Sequence, residues 1–314
     1  MIIKNLTKLS LILGLVLFAS CSEDDSVDNG GNPDDMNSTS VYLTDAPVDQ
    51  ANVEAVFVTV SEVKINGKAV EGFSKTTIQL SSLTKGRTEL LGKLDLQSGT
   101  TSNITLVLAD TDAAGNAPGN YVVLDGGAKQ ELAAATEINV KDQVEIVSGA
   151  ANEIVLDFDL RKTVKQEGDN YSFVAKSQLE NSIRSVNKIN TGSVKGDVDN
   201  TSEANGEVVV AYAYKKGTYS GSEENPNNEG INFSNAVSSS VVSGSNGEFE
   251  IHFLEEGDYE LHFASYSDND NDGKLEFSGM VEANAASSLD LSGFRVESNS
   301  QVTIQISFTG LLGL

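Results

Sequence analysis

In Val53-Glu54-Ala55-Val56-Phe57-Val58-Thr59-Val60-Ser61-Glu62-Val63, Val56, Val58 and Val60 fall on one face of an extended chain and Phe57 and Thr59 on the other. A period of two over this length predicts a strand with one buried face. Asn66-Gly67 follows, the dipeptide that two-residue hairpin turns favour. Working outward, similar runs recur at 76–80, 104–108, 121–124, 137–140, 144–147, 153–160 and 171–176, separated by Gly-, Asn- and Asp-rich turns. Residues 90–96 declare no type. Beyond residue 189 the runs at 207–214, 233–242, 247–253, 259–266, 292–297 and 302–308 continue the pattern. Many short strands with regular turns predict an all-β chain of two antiparallel, β-sandwich-like domains, at 40–188 and 189–314. The polar stretch 216–230, rich in turn formers, reads as a mobile loop.

Composition agrees. The 314 residues allow about two ordinary domains. Hydrophobic residues make up 39% and charged residues 21%, enough for a real core. The formal net charge of −25 argues against a nucleic-acid partner, because phosphate binding needs a basic face. It favours solubility and attraction of cations. The one cysteine, Cys21, excludes a disulfide within the chain.

Lys4 and Lys8 precede an apolar stretch at 9–18 that is about half the length a bilayer-spanning helix requires, followed by Ala19-Ser20-Cys21. The run Leu17-Phe18-Ala19-Ser20-Cys21 resembles a bacterial lipobox. The resemblance implies a signal peptide at 1–20, diacylglycerol on the Cys21 sulfur, an acyl chain on the new amino group, and attachment to the membrane through that lipid anchor. More than one acyl chain is needed for firm anchoring. Residues 21–39 then form an acidic stretch too poor in apolar groups to fold, expected to be a flexible linker. The acidic run straight after Cys21 resembles the surface-export signal of Bacteroidetes lipoproteins. That implies the outer membrane, facing outward, with the periplasmic face as the alternative.

The opening Val41-Tyr42-Leu43-Thr44-Asp45-Ala46-Pro47, then TSNITLVLAD, YVVLDGG and IVLDFDLRKTV, occur in order over 40–188. Together they resemble a domain of unknown function, DUF4382, which implies a β-rich extracytoplasmic domain and no activity. The phrase GEFEIHFLEEGDYELHF at 247–263 resembles transthyretin-like and carboxypeptidase-regulatory-like sandwich domains.

The most chemically suggestive segment is Asp268-Asn269-Asp270-Asn271-Asp272-Gly273-Lys274-Leu275-Glu276, which resembles the start of an EF-hand-type calcium loop. Carboxylates of Asp268, Asp270 and Asp272 at alternate positions converge on one ion, Gly273 permits the sharp turn, the Lys274 carbonyl supplies an oxygen, and Glu276 or Glu282 takes the place of the bidentate Glu. The twelfth position is Gly279 rather than Glu, and the flanks read as strands, so an acidic turn without Ca²⁺ is the competing reading. Asp45 suits a turn-capping carboxylate. Asp157 and Asp159 flank Phe158 on one strand and face the same way. They read as a salt-bridged surface patch with Arg161 and Lys162, or as a carboxylate pair for acid/base work. His252 and His262 are expected on the solvent face, opposite one another if their strands pair about Gly257.

No nucleophile elbow, phosphate-binding loop or zinc-protease motif occurs in the sequence, and no catalytic residue is assigned. The reading is a non-catalytic, lipid-anchored envelope protein, a binding or structural module for a glycan or protein partner at the cell surface. The alternatives are an accessory subunit of an outer-membrane complex and a glycan-active hydrolase.

Overall fold

The computed structural model describes residues 36–45, 53–101, 103–133, 137–168, 170–286 and 289–312. The signal peptide and Cys21 lie outside the described residues. The chain is all-β, with short helices at Leu160–Thr163 and Lys176–Ser182 and four 3₁₀ turns among the described residues. The described residues fall within one compact unit. Within it, the ladders of 36–187 and of 191–311 share no strand, and each set is called a module below.

In the first module two sheets face one another. One runs in the order Arg184–Asn187, Asn152–Asp157, Met36–Thr44, Glu89–Gln97. The other is built on the long strand Val53–Ile65, flanked by Ile104–Leu108 and Tyr121–Leu124. Val56, Val58 and Val60 point inward against Val41, Leu43, Leu106, Ile154 and Leu156, and all are essentially buried. The alternation that places them slips at Ser61: Val60 pairs with Leu108 but Glu62 with Val107, so Ser61 is the extra residue of a bulge. The slip is what lets Val63 and Ile65 rejoin the same core. Phe57, on the other face, stacks on Tyr121 with centroids 4.9 Å apart.

The expected linker ends earlier than residue 39. Met36–Thr44 is already a strand, and Asn37 and Thr39 share its buried face with Val41 and Leu43. Asn37 accepts the Gly149 N–H on Oδ1 at 2.8 Å, which ties the polar start of the strand into the module. This strand also departs from a purely antiparallel arrangement, because it pairs parallel with Asn152–Asp157 and antiparallel with Glu89–Gln97.

The second module is one eight-stranded sheet. Its main order is Ser238–Val242, Val208–Lys215, Gly257–Ser267, Glu276–Ala285, Gln301–Leu311, Thr191–Val198, Glu248–Glu255. The first and last strands of that order are successive in the chain and joined by a turn at 243–247, whose ends are tied by Ser243 N–H to Glu248 O at 2.9 Å. The sheet therefore has to curl until its ends meet. Its interior holds Phe249, Ile251, Leu261, Phe263, Ile304 and Phe308. Phe249 lies over the Cα of Gly196, where an added Cβ would stand 2.0 Å from the ring, so only glycine fits that position.

Two expectations are corrected here. Glu248–Glu255 and Gly257–Ser267 do not pair as a hairpin: the first pairs with Thr191–Val198, and the second with Val208–Lys215, Glu276–Ala285 and Phe294–Val296. The chain crosses from one side of the module to the other at Glu256. Residues 216–230 are not a free loop either, and the strand expected over 233–242 begins only at Ser238, because 231–237 pack down as an irregular segment. Phe233 is buried and stacks on Tyr212 at 4.6 Å, and Glu223 accepts the Tyr214 hydroxyl at 3.1 Å. The Val208–Lys215 strand is thereby buried on both faces, which explains its unbroken apolar and aromatic run.

The modules meet through apolar contacts of Phe253 and of Ile231, which joins the first module's core, through the Lys165–Glu229 ion pair at 3.1 Å, and through Arg161, Lys162 and Arg184. The pairing of Glu248–Glu255 slips between Gly192 and Val194, and the backbone of Phe253 takes a φ of 56°. That bulge turns Phe253 out of its own core onto Val155, Val186 and Tyr42 of the first module. Arg184 bonds Asp157 at 2.8 Å and also donates to the Phe253 carbonyl. Arg161 bonds Asp159 at 3.2 Å and donates to the carbonyls of Asn232 and Phe233 at 3.0 and 3.1 Å.

Arg161 is 3% exposed, and its truncation leaves the buried Asp159 carboxylate with Lys162 as its remaining cation and bares the carbonyls of Asn232 and Phe233. Arg161→Ala is expected to lower unfolding free energy by about 3–5 kcal/mol in urea titration. Arg295→Ala, which breaks an ion pair with both partners about half exposed, should cost no more than about 1 kcal/mol. At Phe253 the left-handed backbone inverts the usual preference of strands. Phe253→Gly should be more stable than Phe253→Ala by about 1 kcal/mol, although both lose the ring's packing.

Candidate functional site

The acidic loop connects Gly257–Ser267 to Glu276–Ala285. Its shape comes from carboxylates accepting the loop's own N–H groups. Asp268 takes the Asp272 N–H at 3.1 Å and the Gly273 N–H at 3.0 Å, and Asp272 takes the Lys274 N–H at 2.8 Å. Asn271 and Gly273 have φ of 59° and 84°, the left-handed conformations such a reversal needs and that Asn and Gly adopt most readily. The result brings together one oxygen each of Asp268, Asp270 and Glu276, all within 4.8 Å of one another. Oxygens opposed across a calcium ion, at about 2.3–2.6 Å each, stand about 5 Å apart. The trio therefore has the spacing of a hard-cation site.

Asp272 stands outside that trio, its carboxylate engaged with the backbone of Lys274. Glu282 is engaged elsewhere, accepting from Thr309 Oγ1 at 2.8 Å. Glu276 and Lys274 also line a cavity of about 360 Å³, together with Tyr266, Phe277, Lys165 and Glu229. Of the trio, Glu276 alone belongs to that wall.

Asp157 and Asp159 do not lie side by side on a strand. The strand ends at Asp157, and Asp159 precedes the helix Leu160–Thr163, whose Leu160 N–H is accepted by Asp45 Oδ1 at 2.9 Å. Asp45 is thus a cap, but for a helix 115 residues away in sequence. The expected surface patch is instead buried: Asp157, Asp159 and Arg161 are all under 5% exposed. Asp157 takes Arg184 as its cation, while Asp159 takes Arg161 and Lys162 at 3.2 and 3.4 Å. Burial pushes the Lys162 ammonium below its usual range, and the Asp159 charge opposes that shift.

Nor do the histidines form a pair. His252 bonds Glu250 at 3.0 Å and lies against the backbone of Gly86, where an added Cβ would sit 2.7 Å from its Nδ1. His262 stacks on Tyr219 at 3.8 Å, and burial holds its imidazole below the usual range against the pull of Glu260. Both side chains are about a quarter exposed, so neither stands free on a solvent face.

Among the described residues, no helix is long and apolar enough to cross a membrane. No curated protein matches the chain. Solved structures similar to it include the TIE protein of Bacillus anthracis, with 12% identity over 87% of this chain and a TM-score of 0.20. This chain spans only 34% of that protein's length. BcpA, the major pilin subunit of Bacillus cereus, is similar at 12% identity over 87% of this chain and 70% of BcpA, with a TM-score of 0.21. The fimbrial anchor protein Mfa2 from Porphyromonas gingivalis is similar at 15% identity over 72% of this chain and 77% of Mfa2, with a TM-score of 0.19. Within the first module, residues 38–176 match the family model described as a domain of unknown function, DUF4382.

Proposed function

We propose that this protein is a non-catalytic lipoprotein, anchored in the outer membrane through acyl groups on Cys21, whose β modules serve as a binding or structural piece at the cell surface. The observation that carries the reading is the order of the first forty residues: two lysines, a short apolar run, Ala19-Ser20-Cys21, then an acidic stretch that leads into the strand beginning at Met36. A lipid on Cys21 would leave residues 22–35 as spacer between bilayer and body. The carboxylate pair favoured by a hydrolase reading supports a structural role instead. Asp157 and Asp159 are each engaged in an ion pair with a cationic side chain of the same buried cluster. The second module is read as a transthyretin-like sandwich domain.

The acidic loop belongs to this proposal as a structural calcium site formed by Asp268, Asp270 and Glu276. Its spacing supports the ion, and three carboxylates facing one point would otherwise repel.

Labelling growing cells with an alkyne palmitate analogue tests the anchor. The wild-type chain should incorporate label and sediment with membranes, and Cys21→Ala should do neither. Label retained in Cys21→Ala would overturn the assignment. For the loop, thermal unfolding of the full chain in CaCl₂ and in EDTA is decisive. A tenfold excess over Kd should add about 1.4 kcal/mol, or roughly 3 °C, and the gain should vanish in Asp270→Ala. Equal midpoints in both buffers would return the loop to an ion-free turn.

A further inference from the structure

Four Asn-Gly steps occur in the sequence, at 29–30, 66–67, 205–206 and 246–247, and the last three fall among the described residues. An asparagine before glycine can lose its side-chain nitrogen to attack from within the chain. The main-chain nitrogen of the glycine bonds to Cγ of the asparagine, the Cγ–Nδ2 bond breaks, and the proton of the attacking N–H leaves with the amine as ammonia. The product is a cyclic imide. Water opens it at Cγ to give aspartate, or at the main-chain carbonyl carbon to give isoaspartate. Glycine favours the step because it has no Cβ to crowd the ring. Closure also requires rotation about the Cα–C bond of the asparagine, so the peptide that follows must be free to swing. On that point the fold treats the three steps differently.

At 246–247 both reacting groups are held. Gly247 N–H donates to Ser243 O at 2.8 Å, and Asn246 Nδ2 donates to Glu248 Oε2 at 2.6 Å. Gly247 also faces the backbone of Val198 so closely that an added Cβ would stand 2.0 Å from its oxygen. At 205–206 the glycine lies against fully buried Ser265, with an added Cβ 2.0 Å from Oγ. The next residue, Glu207, donates its N–H to Tyr266 O at 2.9 Å. Neither peptide swings without breaking these contacts.

At 66–67 the surroundings are open. Asn66 and Gly67 are both exposed, at the turn from Val53–Ile65 to Lys68–Ala69, and an added Cβ on Gly67 would meet nothing within 4 Å. The ladder that closes the turn consists of Ile65 with Lys68 and Lys64 with Ala69, and both Lys68 and Ala69 are exposed. So short a ladder opens locally at little cost.

We propose that Asn66 is a modification site, at which the folded chain converts itself to aspartate and isoaspartate with water as the co-reactant. Aspartate adds a negative charge beside Lys68. Isoaspartate adds a methylene to the main chain of a two-residue turn, so that the Ile65–Lys68 pair no longer closes. Val70, which is buried and donates its N–H to Val63 O at 2.9 Å, then loses the turn that delivers it to the core. Val53–Ile65 keeps its pairing with Ile104–Leu108. The modification therefore loosens one hairpin and spares the sheet.

The test follows the detergent-solubilised full chain in mildly alkaline buffer, once folded and once in guanidinium chloride. Peptide mapping by mass spectrometry, with detection of isoaspartate, assigns the product to each step. Unfolded, the three steps should react at similar rates. Folding should slow Asn205 and Asn246 at least about tenfold and leave Asn66 within about threefold of its unfolded rate. Asn66→Gln, whose longer side chain closes a ring far less readily, should remove the modified peptide while the folded chain stays intact. Protection of Asn66 equal to that of Asn205 and Asn246 would overturn the proposal. So would modification of Asn246 or Asn205 ahead of Asn66 in the folded chain.

Discussion

A buried guanidinium must place five N–H donors, and the arrangement of this molecule follows from where Arg161 places its own. One bond goes to Asp159, two go to the carbonyls of Asn232 and Phe233, and the group lies 5.0 Å over the Tyr212 ring. Those partners sit on different parts of the chain. Asp159 fixes the start of the Leu160–Thr163 helix, and the two carbonyls fix the segment that covers the outer face of Val208–Lys215. Lys162 extends the same contact to the carbonyl of Ala236. The second module's aromatic layer is thereby held in place by a residue of the first. An apolar junction of equal area could slide. Paired charges with fixed acceptors cannot without leaving one of them bare, so the pair supplies registry more than raw stability.

Phe253 plays the complementary part. The bulge in Glu248–Glu255 forces a phenylalanine into a left-handed backbone that costs on the order of 1–2 kcal/mol. The ring's burial against Val155, Val186 and Tyr42 offsets that cost. Arg184 then closes the arrangement by bonding both Asp157 and the carbonyl of Phe253 itself.

Strand identity was legible in the sequence because it is a local property. Val56, Val58 and Val60 announce their face, and the three-residue step from Val60 to Val63 marks the bulge at Ser61. Pairing was less legible because it depends on distant residues. The hairpin that Gly257 suggests gives way to a crossover, since each strand finds a better partner elsewhere in the curled sheet. The polar look of 216–230 hid an anchored segment, because its anchors, Ile231 and Phe233, lie just past its end. At the acidic loop, alternation located Asp268 and Asp270 beside Glu276, but the Asp272 carboxylate serves the backbone instead. Nothing in the spacing of Asp157, Asp159 and Arg184 foretold a shared cleft, because two of its walls come from segments that only the tertiary fold unites.

The place of the first strand carries a mechanical consequence. Met36–Thr44 is no edge: it lies between Asn152–Asp157 on one side and Glu89–Gln97 on the other. Tension on the chain ahead of Met36, drawn along the strand, loads both ladders lengthwise at once rather than peeling one bond at a time. Slippage by even one residue would turn Asn37, Thr39, Val41 and Leu43 away from the core together. A pull arriving through the residues ahead of Met36 thus meets the part of the fold best able to resist shear.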